Sequence, residues 1–165
     1  MGFSWYQIDK FTKEGILKKL NCHIYESTLY DDVVNDFSYV QVFVPDGVIC
    51  QLSAAYYYGY TNYMPNNIEV SIPRNKKINS IPDYPSMKLY YSKNDRHFSE
   101  IVEAKTHSDY FKIYSKEKTV CDILINRNKI ETGLVKEVLK GYLNDRERNL
   151  TKLHKLSVSL KCDKI

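Results

Sequence analysis

The sequence predicts an α+β fold in which a small mixed or antiparallel sheet is followed by a C-terminal helical bundle. Three observations carry this. Apolar runs of strand character, IEVSIP, MKLYYS and YFKIYS, fill the middle of the chain. From Thr119 onward the apolar spacing turns helical and stays so. A length of 165 residues with 43% hydrophobic and 27% charged content suits one domain, or one domain with a small appendage.

In chain order, SWYQIDKFTKEGILKKL places Trp5, Ile8 and Phe11, and then Ile16 and Leu17, at helix-compatible spacing, with Gly15 interrupting the pattern near a helix end. ILKKLNCHIYE then reads as a turn into a short strand. Asp31, Asp32, Asn35 and Asp36 mark a polar linker or the start of a short helix. In SYVQVFVP, Val40, Val42 and Val44 alternate, which predicts a strand. Pro45-Asp46-Gly47 is a turn or a helix entrance. VICQLSAAYYYGY follows as a helix with Ile49, Leu52, Ala55 and Tyr56 on one face and Gly59 as its C-cap. IEVSIP puts Ile68, Val70 and Ile72 on one side of a strand ended by Pro73. Met87–Ser92 is a further strand, and so is Tyr110–Ser115 after the polar turn His107-Ser108-Asp109.

The C-terminal helices begin at Thr119, read as an N-cap with Asp122 as its capping-box partner. Val120, Ile123 and Leu124 form the buried stripe of that helix. Cys121 sits near its N-terminus, where a thiol pKa can fall, but no histidine or second acid stands at a set spacing from it. A second helix, roughly 133–143, turns Leu134, Val135, Val138, Leu139 and Tyr142 inward and Lys136 and Lys140 outward. A third starts near Asn149 with Leu150, Leu153 and Leu156.

Composition narrows the chemistry. No apolar run approaches the ~20 residues of a membrane span, and the opening MGFSWYQIDKF lacks the apolar core of a signal peptide; the expected setting is the cytoplasm. Cys22, Cys50, Cys121 and Cys162 form no CxxC pair and read as small buried hydrophobes. His23, His97, His107 and His154 form no ligand spacing, so neither a metal nor a cofactor is expected. Residues 111–165 carry 13 Lys+Arg against 7 Asp+Glu, whereas the remaining 110 carry 11 against 13. An acidic partner such as nucleic acid would therefore meet the C-terminal third, at Lys112, Lys116, Lys118, Arg127, Lys129, Lys136, Lys140, Arg146 and Arg148. The same charges also suit a solvated helical surface. Tyr57 and Tyr58, in a local cluster of tyrosines, could stack on bases or fill a core. One segment admits an enzymatic reading. EIVEAK supplies Glu100, Glu103 and Lys105 in an acid-x-Lys arrangement, which would need a further carboxylate such as Asp83 or Glu69 to hold Mg²⁺. Surface charge explains that segment equally well, and no catalytic residue is assigned.

Two segments carry a family resemblance. EKTVCDILINRNKI, with VKEVLKGYLNDRERNLTKLHKLS after it, resembles the C-terminal region of the AbiEi-type antitoxins of type IV toxin–antitoxin systems. Upstream, VPDGVICQLSAAYYYGYTNYMPNNIEVSIP is similar to the same family's Ser-Ala helix, Gly, Pro and Pro-terminated strand, at Ser53, Ala54, Gly59, Tyr60, Pro65 and Ile68–Pro73. Thr119, Cys121 and Asp122 belong to the later segment. Together they span residues 12 to about 160. The resemblance implies a non-enzymatic transcriptional regulator of abortive infection and phage defence. Its C-terminal domain would counteract a nucleotidyltransferase toxin encoded alongside, without needing a stable complex. A winged helix-turn-helix in the full-length form would bind the operon's own promoter. Neither a membrane nor a small-molecule substrate is implied. Residues 1–28 then read as a partial winged-helix remnant, the last helix and the start of the wing, and residues 29–165 as the antitoxin-type domain. Relatives would carry a glycine where this chain has His107-Ser108-Asp109.

Overall fold

The computed structural model describes residues 2–20, 23–29, 35–78, 81–82, 84–105 and 110–162. Helix α1 (Trp5–Lys13) opens on a capping box. The Ser4 hydroxyl accepts the Gln7 N–H at 3.3 Å, and the Gln7 side chain accepts the Ser4 N–H at 2.8 Å. Strands β1 (Leu17–Lys19) and β2 (Tyr25–Ser27) pair antiparallel behind it. Leu20 and Ile24 at their inner ends lean on the main core, and Glu26 accepts a hydrogen bond from Tyr39.

SYVQVFVP is a helix, not a strand. Helix α2 (Asp36–Phe43) starts at Asn35, whose side chain accepts the Phe37 N–H at 3.0 Å. Valines two apart fit a strand, but Phe37, Val40 and Phe43 also recur at near-helical spacing, and those are the side chains that become buried while Val42 faces solvent. Burying a side chain such as Val40 fully is worth about 1.5–3 kcal/mol. The Phe37 ring meets Phe111 edge-on at 5.5 Å, which seats α2 against the sheet.

Val48–Ile49 is strand β3, so Ile49 lies in the sheet instead of on a helix face. Helix α3 (Gln51–Tyr57) begins only after Cys50, and Tyr56 near its end faces outward. Gly59, at φ +72°, takes the left-handed position that closes the helix after Tyr58. Strands β4 (Ile68–Pro73) and β5 (Met87–Ser92) run as expected, followed by the short helix α4 (Asn94–His97). Strand β6 (Ile101–Lys105) arises from EIVEAK, and β7 is Tyr110–Tyr114. The order is β5-β4-β3-β7-β6. β4 runs parallel to β5 and antiparallel to β3; β3 runs parallel to β7, and β6 pairs antiparallel with β7. The sheet is mixed, and its central strand β3 is fully buried.

Helix α5 (Lys116–Ile125) is capped four residues before the expected Thr119. Ser115 is the N-cap, its hydroxyl accepting the Lys118 N–H at 3.3 Å. Thr119 is an interior residue and Asp122 an ion-pair partner, so the expected capping box does not form, and Cys121 lies mid-helix. A 3₁₀ turn at Arg127–Lys129 leads to α6 (Thr132–Asn144), and Asn149 caps α7 (Leu150–Ser159) by accepting the Lys152 N–H at 2.9 Å. Two cores result. One lies between the sheet and α2, around Val40, Val70 and Ile113; the other joins α3, α5 and α6 through Leu52, Val120, Ile123, Val138 and Tyr142. Cys50, Cys121 and Cys162 are buried; Cys22 and His107-Ser108-Asp109 lie outside the described residues. Among the described residues no helix is long and apolar enough to cross a membrane.

Candidate functional site

The two signature segments meet at the start of α3 and along α5. Ala54 is fully buried, and Ser53 Oγ accepts the Glu69 N–H at 2.9 Å. In return the Glu69 carboxylate accepts the Leu52 N–H at 2.8 Å and the Tyr90 hydroxyl at 2.6 Å. Cys50 provides no side-chain cap, so a carboxylate from the neighbouring strand does the work of one, satisfying a free N–H of the first helical turn. Tyr58 donates to the Tyr114 carbonyl at 2.7 Å and ties the end of α3 to the start of α5. Pro65 lines the groove outside.

Beneath this junction lies a buried polar network that periodicity could not reveal. Tyr114 donates to Ser71 Oγ at 2.8 Å. Ser71 Oγ lies 3.1 Å from His97 Nδ1, and His97 Nε2 lies 3.0 Å from the Asp46 carbonyl. Because that carbonyl can only accept, Nε2 carries the proton and Nδ1 is the acceptor. Burial lowers the His97 pKa and keeps the ring neutral. Ser71 and His97 resemble a hydroxyl–imidazole pair, but both are sealed from solvent and the far ring nitrogen is tied to backbone. Their role here is to fix the β4–α4 junction.

Lys118 is not a surface residue. It is 1% exposed, pairs with Asp122, and lies 4.3 Å from the centre of the Tyr114 ring. Arg96 Nη2 reaches the other Asp122 oxygen at 2.9 Å. Burial pushes the Cys121 thiol up to about 12, with the adjacent Cys162 thiol adding to the effect; this is the opposite of the lowering expected at a helix N-terminus.

The other cations separate into two groups. Lys112 donates to the Pro45 carbonyl at 3.0 Å, and Lys116 bridges Asp145 at 2.8 Å and Glu147 at 2.6 Å. With the Lys116 ammonium and the Tyr60 hydroxyl beside it, Asp145 is held down at about 2. Arg127 and Arg148 are exposed and donate to the Leu124 and Asp145 carbonyls. Lys129, Lys136, Lys140 and Arg146 are exposed without an ion-pair partner among the described residues. Lys136 and Lys140, four apart on α6, share one face. Tyr57 packs edge-on against Phe37, Tyr58 and Phe111, which occupies much of the ring offered for stacking.

The acid-x-Lys segment does not assemble a carboxylate cluster. Glu69 is on β4 and Glu103 on β6, three strand steps or about 14 Å apart. Glu100 accepts from the Ser115 hydroxyl and pairs with Lys152, Lys105 is exposed, and Asp83 lies outside the described residues. Among the described residues no three His, Cys, Asp or Glu side chains are grouped to hold a metal ion.

One buried residue is anomalous. Gln51 has φ +53°, a left-handed conformation that costs a non-glycine residue about 1–2 kcal/mol. Its Oε1 is buried with no hydrogen-bond partner. No sequence signal marks it. No protein-family model and no curated protein matches this chain.

Proposed function

We propose that this chain is an antitoxin-type protein of the AbiEi kind, which counteracts a cognate nucleotidyltransferase toxin and acts without chemistry of its own. The observation that carries the reading is the junction of the two family-like segments. Ser53 and Ala54 on α3, and Thr119, Cys121 and Asp122 on α5, are far apart in the chain and all buried, and the two helices that carry them share one core through their neighbours Leu52, Ala55, Val120 and Ile123. The two family-like segments thus pack as one unit, which supports the reading. The working surface is the exposed cationic face that remains once Lys112, Lys116 and Lys118 are removed, centred on Lys136, Lys140 and Arg146.

The test is co-expression with the nucleotidyltransferase-like product of a neighbouring gene. Growth rescue is expected, and charge reversal of Lys136, Lys140 and Arg146 together should abolish it while leaving the melting temperature within about 2 °C. Absence of rescue by a soluble, folded chain overturns the reading. Weight then passes to a stand-alone nucleic-acid-binding module, whose signature is an affinity that falls steeply with salt.

A further inference from the structure

Two open clefts flank Gln51. The first, about 470 Å³, is lined by Arg74, Lys93, Arg96, Lys129 and Tyr91. Arg74, Lys93 and Lys129 are exposed and have no ion-pair partner among the described residues. Asp122, the carboxylate in this wall, is already paired with Lys118 and Arg96, so the cleft carries a cationic surplus. The second, about 490 Å³, has an apolar and amide lining from Tyr63, Pro65, Asn66, Ile130 and Leu134. Its charges, Glu69, Glu131, Lys88 and Lys129, balance. Gln51, Tyr90, Asn126 and Lys129 line both, so the two clefts are halves of one groove divided at Gln51.

We propose that this groove binds a nucleoside polyphosphate, with its phosphates in the cationic half and its base and sugar in the second half. Cations gathered without counter-charges answer an oligophosphate. An apolar slot with an aromatic wall and amide groups answers a base. At the divide stands Gln51, 6% exposed, whose orphaned carbonyl needs an N–H or O–H donor and whose backbone is held in a disfavoured conformation. Unsatisfied buried acceptors and strained residues of this kind collect at ligand sites. A base amino group or a ribose hydroxyl supplies the missing donor. The inference is independent of the antitoxin reading, because binding is measured on the isolated protein without a toxin.

The experiment is calorimetric titration of the full chain with ATP, GTP, CTP and UTP in turn, beside tripolyphosphate, the free nucleosides and a single-stranded oligonucleotide. At least one triphosphate should bind about tenfold or more tightly than tripolyphosphate and the matching nucleoside. R74E with K93E should weaken it at least about tenfold. Gln51→Leu, which keeps the bulk and removes the orphaned oxygen, should weaken nucleotide binding while the ligand-free melting temperature stays level or rises. No binding at millimolar nucleotide overturns the proposal. Tripolyphosphate binding as tightly as any nucleotide overturns it too, as does oligonucleotide binding without free-nucleotide binding. Nucleotide affinity unchanged in both variants places the ligand elsewhere and also overturns it.

Discussion

Replacing Gly141 by alanine should destabilise the protein, although alanine is the better helix former. In a helix interior the exchange ordinarily gains about 1 kcal/mol. At Gly141, on α6, an added Cβ would sit 2.6 Å from the Tyr60 Cα and 2.8 Å from its carbonyl oxygen. Those are backbone atoms with little freedom to retreat. The Tyr60 N–H is bonded to the Ala55 carbonyl at 2.9 Å, its hydroxyl donates to Asp145 at 2.7 Å, and its ring packs edge-on against Tyr142. Overpacking against so fixed a partner belongs at the upper end of the usual range, about 3 kcal/mol. Subtracting the propensity gain leaves a net loss of about 2 kcal/mol, or a fall in melting temperature of about 4–8 °C for a chain of this size. Gly133 on the same helix is the control. A Cβ there meets nothing nearer than a Glu131 side-chain oxygen at 3.5 Å, so alanine should stabilise by about 0.5–1 kcal/mol. Melting should be followed by far-UV circular dichroism, because the one tryptophan, Trp5, is 72% exposed on α1 and reports poorly on this core. A Gly141→Ala protein that melts at or above the parent temperature would refute the close approach of α6 to Tyr60.

Three further substitutions test the ion pairs. Asp145→Asn should cost about 1 kcal/mol near neutral pH, less than the full pKa shift implies because the Lys116 pair is partly solvated. Asp145 is depressed from its ordinary 3.8 to about 2, so its contribution is complete above the unfolded value and is lost as pH falls toward the folded one; urea midpoints of parent and variant should converge between about pH 5 and 2. Lys118→Met should cost about 2–3 kcal/mol in urea denaturation, since Asp122 then keeps only Arg96. Adding Asp122→Leu should recover part of that loss, and a double variant less stable than the single would count against an uncompensated buried carboxylate as the cause.

Elements stamped by strong local signals are legible in the sequence alone. IEVSIP ended at its proline, Gly59 stopped a helix by occupying a left-handed position, and Asn149 opened the last one. SYVQVFVP misled because three valines satisfy a period of two while the deciding signal, the Asn35 cap, sits outside the run. Thr119 misled for a related reason: Ser115 and Thr119 are both competent caps, and only the end of β7 at Tyr114 selects the first. The site was less legible. Lys118 looks like any helical lysine until Tyr114 and Asp122 enclose it. Glu69 looks like a strand charge until α3 presents the Leu52 N–H to it. Left-handed backbone at a glutamine leaves no trace in composition or spacing, so Gln51 could emerge only from the folded chain.

The central strand of the sheet is also its shortest. β3 has two residues, and a single aligned pair, Ile49 with Ile113, joins the half-sheet of β4 and β5 to that of β6 and β7. Each half can be built from neighbouring segments, but the seam between them closes a loop of more than sixty residues, at an entropic cost of about 4 kcal/mol. Until Val48, Ile49 and Cys50 are enclosed from both sides, little enthalpy repays that closure. The molecule is therefore expected to fold at the pace of this one long-range encounter. Its seam, short in hydrogen bonds but wholly shielded from water, ties the two halves into a single cooperative unit.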